Sequence, residues 1–427
     1  MKTLYDPNIF ENTMEGITPE DYIIATYYFE QEAYEHLEVV GYMALEASTG
    51  GWIDFPGETP QVREALSARV VGYYPVESQH EGWQAAVVRL AFPMRGPTGY
   101  LGSTAAMLTG IGGNILGMPG EIKLLDIDLP AAFVKQLPGP KFGVSGIRKL
   151  LEVPQRPLVN CMIKPKVGLT PKQIGNLCYE VAVAGVDTIK DDEMISETYN
   201  CSFRERLMEV MAALKRAEEE TGKKVLYFIS TTDTVRKQLE KAKWAVEHGA
   251  NALMVNFISG IEMLRAVAED PNINVPLLFH PCGMSGYTGI SPMVWNKLAR
   301  FAGADVALSG GTWGKWGEGG AFAPTIRSKH ILQAPIPGIE RIFILSSAVP
   351  GLVPTVIESY GLDVMVGGGG AVHGHPSGSA AGVKALRQAI DAVMSDIPLE
   401  EAAKEHKELG EAVALWGIYK RPATKRY

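Results

Sequence analysis

Cysteine is scarce in this chain, and long apolar runs are missing altogether. The four cysteines (Cys161, Cys178, Cys201 and Cys282) are scattered through 427 residues with no C-x-x-C pair. That excludes a disulfide framework or a cysteine-based zinc site as an organising element. No stretch approaches the ~18 consecutive apolar residues of a membrane span. The first residues, MKTLYDPNIF, lack the apolar core of a secretory signal; the expected compartment is the reducing cytoplasm. Positive charge is in deficit too. A net charge of −8 leaves no basic field of the kind nucleic-acid binding needs. An anionic small substrate would have to be gripped locally, by Lys, Arg, a metal or backbone N–H groups.

What the chain has in quantity is core-forming sequence. Hydrophobic residues make up 46 % and charged residues 21 %, a globular composition. The length points to two or three domains and to a core that needs no staples. In residues 21–100, DYIIATYYFE, ARVVGYYPVE and WQAAVVRLAFPM are β-rich, and EHLEVVGYMALEAS between the first two has helical spacing. Together they predict an α+β domain. The Pro/Gly cluster LPGPKFGVSG marks a boundary, which divides the chain into residues 1–140 and 141–427.

Beyond it, short apolar runs recur at 157–164, 185–190, 224–230, 250–257, 275–280, 305–310, 341–347 and 363–368, each a candidate buried parallel strand. Amphipathic segments lie between most of them. TPKQIGNLCYEVAVAG has Thr170 as cap, Pro171 at the first helical position and Gly185 as stop. Eight strand–helix units in about 280 residues predict a (β/α)8 TIM barrel, with a doubly wound open sheet as the alternative.

Barrel chemistry sits at the C-terminal strand ends. Here those ends carry Lys164 and Lys166 (first), Lys190-Asp191-Asp192-Glu193 (second), His280 (fifth), Lys315 in SGGTWGKWGEGG (sixth), Ser346-Ser347 (seventh), and Gly367 to Gly370 with His373 and His375 (eighth). Lys190 and Asp192 fall on one side of a strand. Two carboxylates begin an oxygen-rich Mg²⁺ site, and the odd lysine beside them fits if CO₂ carbamylates its amine into an anionic ligand. Alone, the tetrad reads as a salt-bridged loop before it reads as a metal site. The glycine run reads as a flexible turn or a phosphate cradle. Lys315 reads as a solvated lysine or a lid residue.

In combination, IKPKVGL (163–169), GVDTIKDDE (185–193), the glycine run before GHPSG (374–378) and EASTGGW (46–52) resemble the signature segments of the rubisco large-subunit superfamily, in order and spacing, from about residue 20 to 415. The resemblance implies a ferredoxin-like α+β domain ahead of a TIM barrel. It implies that Lys190, as a CO₂ carbamate, holds Mg²⁺ with Asp192 and Glu193. Lys164 is then the proton-transfer lysine, Lys166 its partner, His280 an active-site histidine and Lys315 the loop-six lysine. Trp52, Gly368, Gly369 and Gly370 match one phosphate site, and Ser346 aligns with a substrate-binding serine. Glu46 and Asn114 align with residues donated by the neighbouring subunit, so a homodimer is expected.

The departures point away from carbon fixation. The carboxylases follow the strand-five histidine with an arginine and place a histidine before the strand-six SGT. Here those positions hold Pro281 and Leu308. One phosphate site survives and the other is dismantled, as in rubisco-like (form IV) proteins. The expected chemistry is enediolate formation from a mono-phosphorylated keto compound. The retained Lys315 favours a β-keto sugar acid such as 3-oxo-isoapionate 4-phosphate, undergoing decarboxylation or transcarboxylation with hydrolysis. The alternatives are 2,3-diketo-5-methylthiopentyl-1-phosphate enolase, against which Ile115 counts, methylthioribulose-phosphate isomerase, a bisphosphate carboxylase and a non-catalytic scaffold.

Overall fold

The computed structural model describes residues 16–32, 36–50, 55–96, 99, 102–309 and 325–419. The chain forms two compact units, one running to Leu137 and taking in Met284–Leu298, the other comprising Pro138–Gly283 and the chain from Ala299 on.

The first unit is built on a four-stranded antiparallel sheet of order β2-β3-β1-β4, with β1 (Tyr22–Glu32), β2 (Arg69–Val76), β3 (Trp83–Pro93) and β4 (Glu121–Asp128). Helices His36–Glu46 and Thr104–Ile111 follow β1 and β3. This is the ferredoxin-like arrangement. The helical spacing of EHLEVVGYMALEAS materialises as His36–Glu46, whose Val40, Met43, Ala44 and Leu45 are buried. β4 lies beyond the segments whose periodicity is legible. Its edge is covered by Gly289–Ser291: Leu124 donates to the Gly289 carbonyl (2.8 Å) and Ser291 to the Leu124 carbonyl (2.9 Å).

In the second unit all eight apolar runs become strands: β5 (Leu158–Met162), β6 (Thr188–Lys190), β7 (Leu226–Ser230), β8 (Ala252–Asn256), β9 (Leu277–His280), β10 (Val306–Leu308), β11 (Phe343–Ser347) and β12 (Val364–Gly368). They close into a parallel barrel, with β12 pairing to β5, so the open-sheet alternative is excluded. Helix Pro171–Val183 starts as its sequence says. Thr170 caps it, and Gln173 returns a hydrogen bond to complete a capping box. Helix Phe203–Thr221 stops at Gly222, which takes the left-handed conformation (φ +70°) that glycine adopts at least cost.

Strand parity decides which residues see the barrel interior. Leu158, Met162, Leu226, Phe228, Ala252, Met254, Leu278, Val306, Phe343, Leu345 and Met365 form one core, which helix Gly143–Leu151 joins through Val144, Ile147 and Leu151. Each Leu, Val, Ile, Met or Phe among them is worth about 1.5–3 kcal/mol of burial. Asp305, just before β10, accepts the backbone N–H groups of Phe142 and Gly143 (both 2.7 Å), tying that helix to the N-terminal end of the barrel. The same parity, continued toward the C-terminal ends, brings Lys164, Lys190, Asp192, Asn256, His280, Leu308, Ser347 and Gly369 to the opposite mouth. Among the described residues, no helix is long and apolar enough to cross a membrane.

Candidate active site

Three lysines and two acids converge at that mouth. Lys190 ends β6 in the barrel interior, 1 % exposed. Its Nζ donates to the Asp191 carbonyl at 2.8 Å. Burial outweighs the attraction of Glu193, Asp192 and Asp191 and brings its pKa down to about 8. Lys164 Nζ donates to Asp192 Oδ2. Lys166 Nζ donates to Glu193 Oε1 at 3.1 Å and lies 4.0 Å from Asp192 Oδ1. The Met194 N–H donates to Asp192 Oδ1 at 3.2 Å.

His280 closes the group, with Nε2 3.6 Å from Glu193 Oε2. Its Nδ1 accepts the Cys282 N–H at 3.2 Å, leaving the proton on Nε2, toward the carboxylate. Burial and the nearby Lys190 charge hold the ring neutral, well below the ordinary histidine range. Burial alone would raise Glu193, but hydrogen bonds from its own backbone and Lys166 and the charges around it hold its carboxyl below the usual range. The His280 imidazole is therefore expected to show no titration between about pH 5 and 8, measured by NMR; an apparent pKa near 6.5 would contradict this geometry.

The glycine run lies against Lys164. A Cβ on Gly369 would stand 3.0 Å from Lys164 Cε, one on Gly368 would meet Val372 and Leu386, and one on Gly370 would meet nothing within 4 Å. Close approach of backbone to side chain thus needs glycine at 368 and 369. Gly369→Ala pushes on the flexible end of a lysine, so stability should change by less than about 1 kcal/mol. Displacing Lys164 should cost on the order of 10-fold in kcat/KM.

Ser346 departs from expectation. Phe343 and Leu345 face the core, so Ser346 points to the helix layer, fully buried beside the Tyr360 phenol. Ser347 is the inward-facing hydroxyl, 3.9 Å from Met162 Sδ. Glu46 ends helix His36–Glu46 and Asn114, exposed, opens a 3₁₀ turn, Asn114–Gly117, both in the N-terminal unit. Trp52 and Lys315 lie outside the described residues. Asn256 went unread in the sequence. It is buried, its Nδ2 donates to Thr232 Oγ1 at 2.7 Å and approaches the Glu193 carbonyl at 3.4 Å, and its Oδ1 has no partner. Its inward position at the end of ALMVN was the available signal.

The donors suit a divalent cation held through a carbamate. Both acids are matched by ammonium groups, and burial lowers the pKa of the third lysine to about 8, which enlarges the neutral fraction of the amine that can attack CO₂. A second cluster, Glu30, His80 and Glu121, has ligand-like spacing in the N-terminal sheet. The Glu30 carboxylate is already engaged there by Ser78 Oγ (2.5 Å), Gln79 N (2.8 Å) and His80 N (3.2 Å), which makes it a loop anchor.

The pattern described as the ribulose bisphosphate carboxylase large chain, catalytic domain, matches residues 143–416, and that of its N-terminal domain matches 13–133. The chain belongs to the rubisco large-chain family. A ribulose bisphosphate carboxylase-like protein from Archaeoglobus fulgidus is 40 % identical, covering 94 % of this chain and 95 % of the relative. A 2,3-diketo-5-methylthiopentyl-1-phosphate enolase from Geobacillus kaustophilus is 34 % identical over 93 % and 98 %. Among solved structures, a rubisco-like protein (MtnW) from Alicyclobacillus acidocaldarius superposes with TM-score 0.84 at 32 % identity, covering 94 % of this chain and 100 % of the other. A dimeric archaeal rubisco from Hyperthermus butylicus gives 0.83 at 29 %, over 96 % and 99 %. Other relatives carry enzyme names, enolases and carboxylases among them.

Proposed function

We propose that this chain is a Mg²⁺-dependent enolising enzyme acting on a mono-phosphorylated keto compound, and that a β-keto sugar acid of the 3-oxo-isoapionate 4-phosphate type is its substrate class. The observation that carries the reading is the buried Lys190 amine among Asp192, Glu193, Lys164 and Lys166. Once its ammonium has lost one proton, Lys190 adds to CO₂: the N–C bond forms, a second proton leaves the nitrogen, and an anionic carbamate replaces a cation. Carbamylated Lys190, Asp192 and Glu193 would hold the metal. When bound, it supplies Lewis-acid charge for the oxygens of the developing enediolate.

The remaining steps fall to the chain itself. Lys164, hydrogen-bonded to Asp192, is placed to hold or move the proton beside the carbonyl. Lys166 orients Glu193. Neutral His280 offers an Nε2–H donor. Backbone N–H groups of Gly368 to Gly370 would take the single phosphate. Lys315 would meet a substrate carboxylate, which is why a β-keto acid is favoured and loss or transfer of its carboxylate is the reaction proposed. Glu46 and Asn114 would complete the site of a partner copy in a homodimer.

A second reading, the diketo-methylthiopentyl phosphate enolase, is favoured by the 34 % identity to proteins of that name. A panel of phosphorylated keto acids and diketones in D₂O separates the two. Carbon loss from the keto acid, followed by NMR and mass, supports the first reading. Deuterium exchange without carbon loss, on the diketone alone, replaces it with the second.

A further inference from the structure

The tetrad holds one acid that the proposed metal site does not use. Asp191 lies between two inward-facing residues and so faces the opposite way, into the layer between β6 and the helices, with zero exposure. Its carboxylate is engaged there from three sides. The Tyr227 hydroxyl donates to Oδ1 at 2.6 Å, the Ser230 backbone N–H donates to Oδ2 at 2.9 Å, and Arg206 Nε stands 3.3 Å from Oδ2. Tyr227 and Arg206 are themselves fully buried.

Arg206 also reaches past the tetrad. Its Nη1 donates to the Ser196 carbonyl at 2.9 Å, in the loop that leaves Glu193, and the Ser196 hydroxyl in turn donates to the Thr232 carbonyl. The strand end and its loop are therefore fixed from behind at two points, on either side of Asp192 and Glu193. Lys190 Nζ rests on the Asp191 carbonyl, so it shares the anchor.

Stability is a poor explanation for this arrangement. Removing an ion pair from water costs about as much as the pair returns, and apolar replacements of similar volume are often neutral or better. Geometry is the better one: a metal ligand set must be held to a fraction of an ångström, and residues behind the ligands do that work. We infer that Asp191, clamped by Arg206 and Tyr227, is a positioning residue that sets the affinity of the Lys190–Asp192–Glu193 site for its divalent cation.

This inference rests on the metal-site reading, and the experiment keeps the two apart. The dissociation constant for Mg²⁺ is measured by calorimetry at saturating bicarbonate, on the full chain, with melting temperature recorded alongside. Lys190→Ala is the reference for loss of the site. The double variant Asp191→Leu with Arg206→Met replaces the pair by apolar groups. Its melting temperature should fall, because the Tyr227 hydroxyl and the Ser230 N–H lose their acceptor and the Ser196 carbonyl loses its donor, and in the folded variant Mg²⁺ binding should weaken by about 10- to 100-fold. Tyr227→Phe removes one hydroxyl at constant shape, so it reports even if the double variant fails to fold; a several-fold weakening is expected. Mg²⁺ affinity within twofold of the parent in Tyr227→Phe and in any folded double variant, with Lys190→Ala silent, overturns the positioning role alone. A parent chain that binds no Mg²⁺ with bicarbonate overturns both.

Discussion

Replacing Lys190 by methionine is expected to make the protein more stable and to abolish its chemistry. The two effects share one cause. The amine is buried, and its pKa of about 8 lies below the ordinary 10.5. Between those values the unfolded chain binds more protons than the folded one, so stability rises with pH across that window. Below about pH 8 the folded protein carries the whole cost of a buried ammonium. A shift of this size corresponds to about 3 kcal/mol, which is the upper limit of what Lys190→Met gains at pH 7, measured by denaturant unfolding without Mg²⁺ or bicarbonate. The same shift leaves roughly one Lys190 in ten neutral at pH 7 and half at pH 8. Activation by CO₂ should therefore steepen over that interval. In the variant, turnover should fall by about a thousandfold or more, and Mg²⁺ with bicarbonate should no longer raise the melting temperature as binding to the folded state requires. Retained turnover in Lys190→Met would remove the basis of the functional reading.

The second large effect is a missing preference. A family member built for a bisphosphate binds its distal phosphate through charge-assisted hydrogen bonds, each worth about 1.5–3 kcal/mol. Here the corresponding positions are buried Pro281, directly after His280, and Leu308, which faces inward at the end of β10 and packs on the barrel core. Neither side chain offers a donor. Losing two such bonds removes roughly a 10²- to 10⁴-fold preference. Calorimetry with ribulose 1,5-bisphosphate and with ribulose 5-phosphate, in the presence of Mg²⁺ and bicarbonate, should give affinities within about tenfold of each other. A bisphosphate bound hundreds of times more tightly would show a second dianion site that these residues do not supply.

The barrel was legible because each buried parallel strand writes itself as an unbroken apolar run, and the polar residues that follow mark the functional end. Lys164, Lys166, Lys190, Asp192, Glu193 and His280 could be read that way, and all six meet at one mouth. The limits have equally physical causes. Whether Ser346 or Ser347 faces inward depends on where strand parity is anchored, and Phe343 and Leu345 anchor it. Asn256 looked like the tail of an apolar strand, and its role follows from Thr232 and Glu193, distant in sequence. Asp191 was given no role from the sequence; the alternation of side chains across a strand separates it from Lys190 and Asp192, and its partners Tyr227 and Arg206 are distant in sequence. β4 and its cover are set by contacts made more than 160 residues apart in the chain, between Leu124 and Gly289–Ser291, and no local period encodes those.

That cover bears on how the molecule can be dissected. Residues 284–298 belong with the N-terminal unit although the chain reaches them only after β9. Besides the backbone bonds to Leu124, Lys297 Nζ grips Asp126 Oδ1 (2.6 Å) and the Ile127 carbonyl (2.5 Å). A gene fragment ending near residue 140 would therefore yield a sheet with an uncapped outer strand, the kind of edge that recruits other chains. The complementary fragment would carry a fifteen-residue excursion with nothing to fold against. Soluble expression of either half should need the other supplied in trans, and the shortest self-sufficient product of this gene should span both.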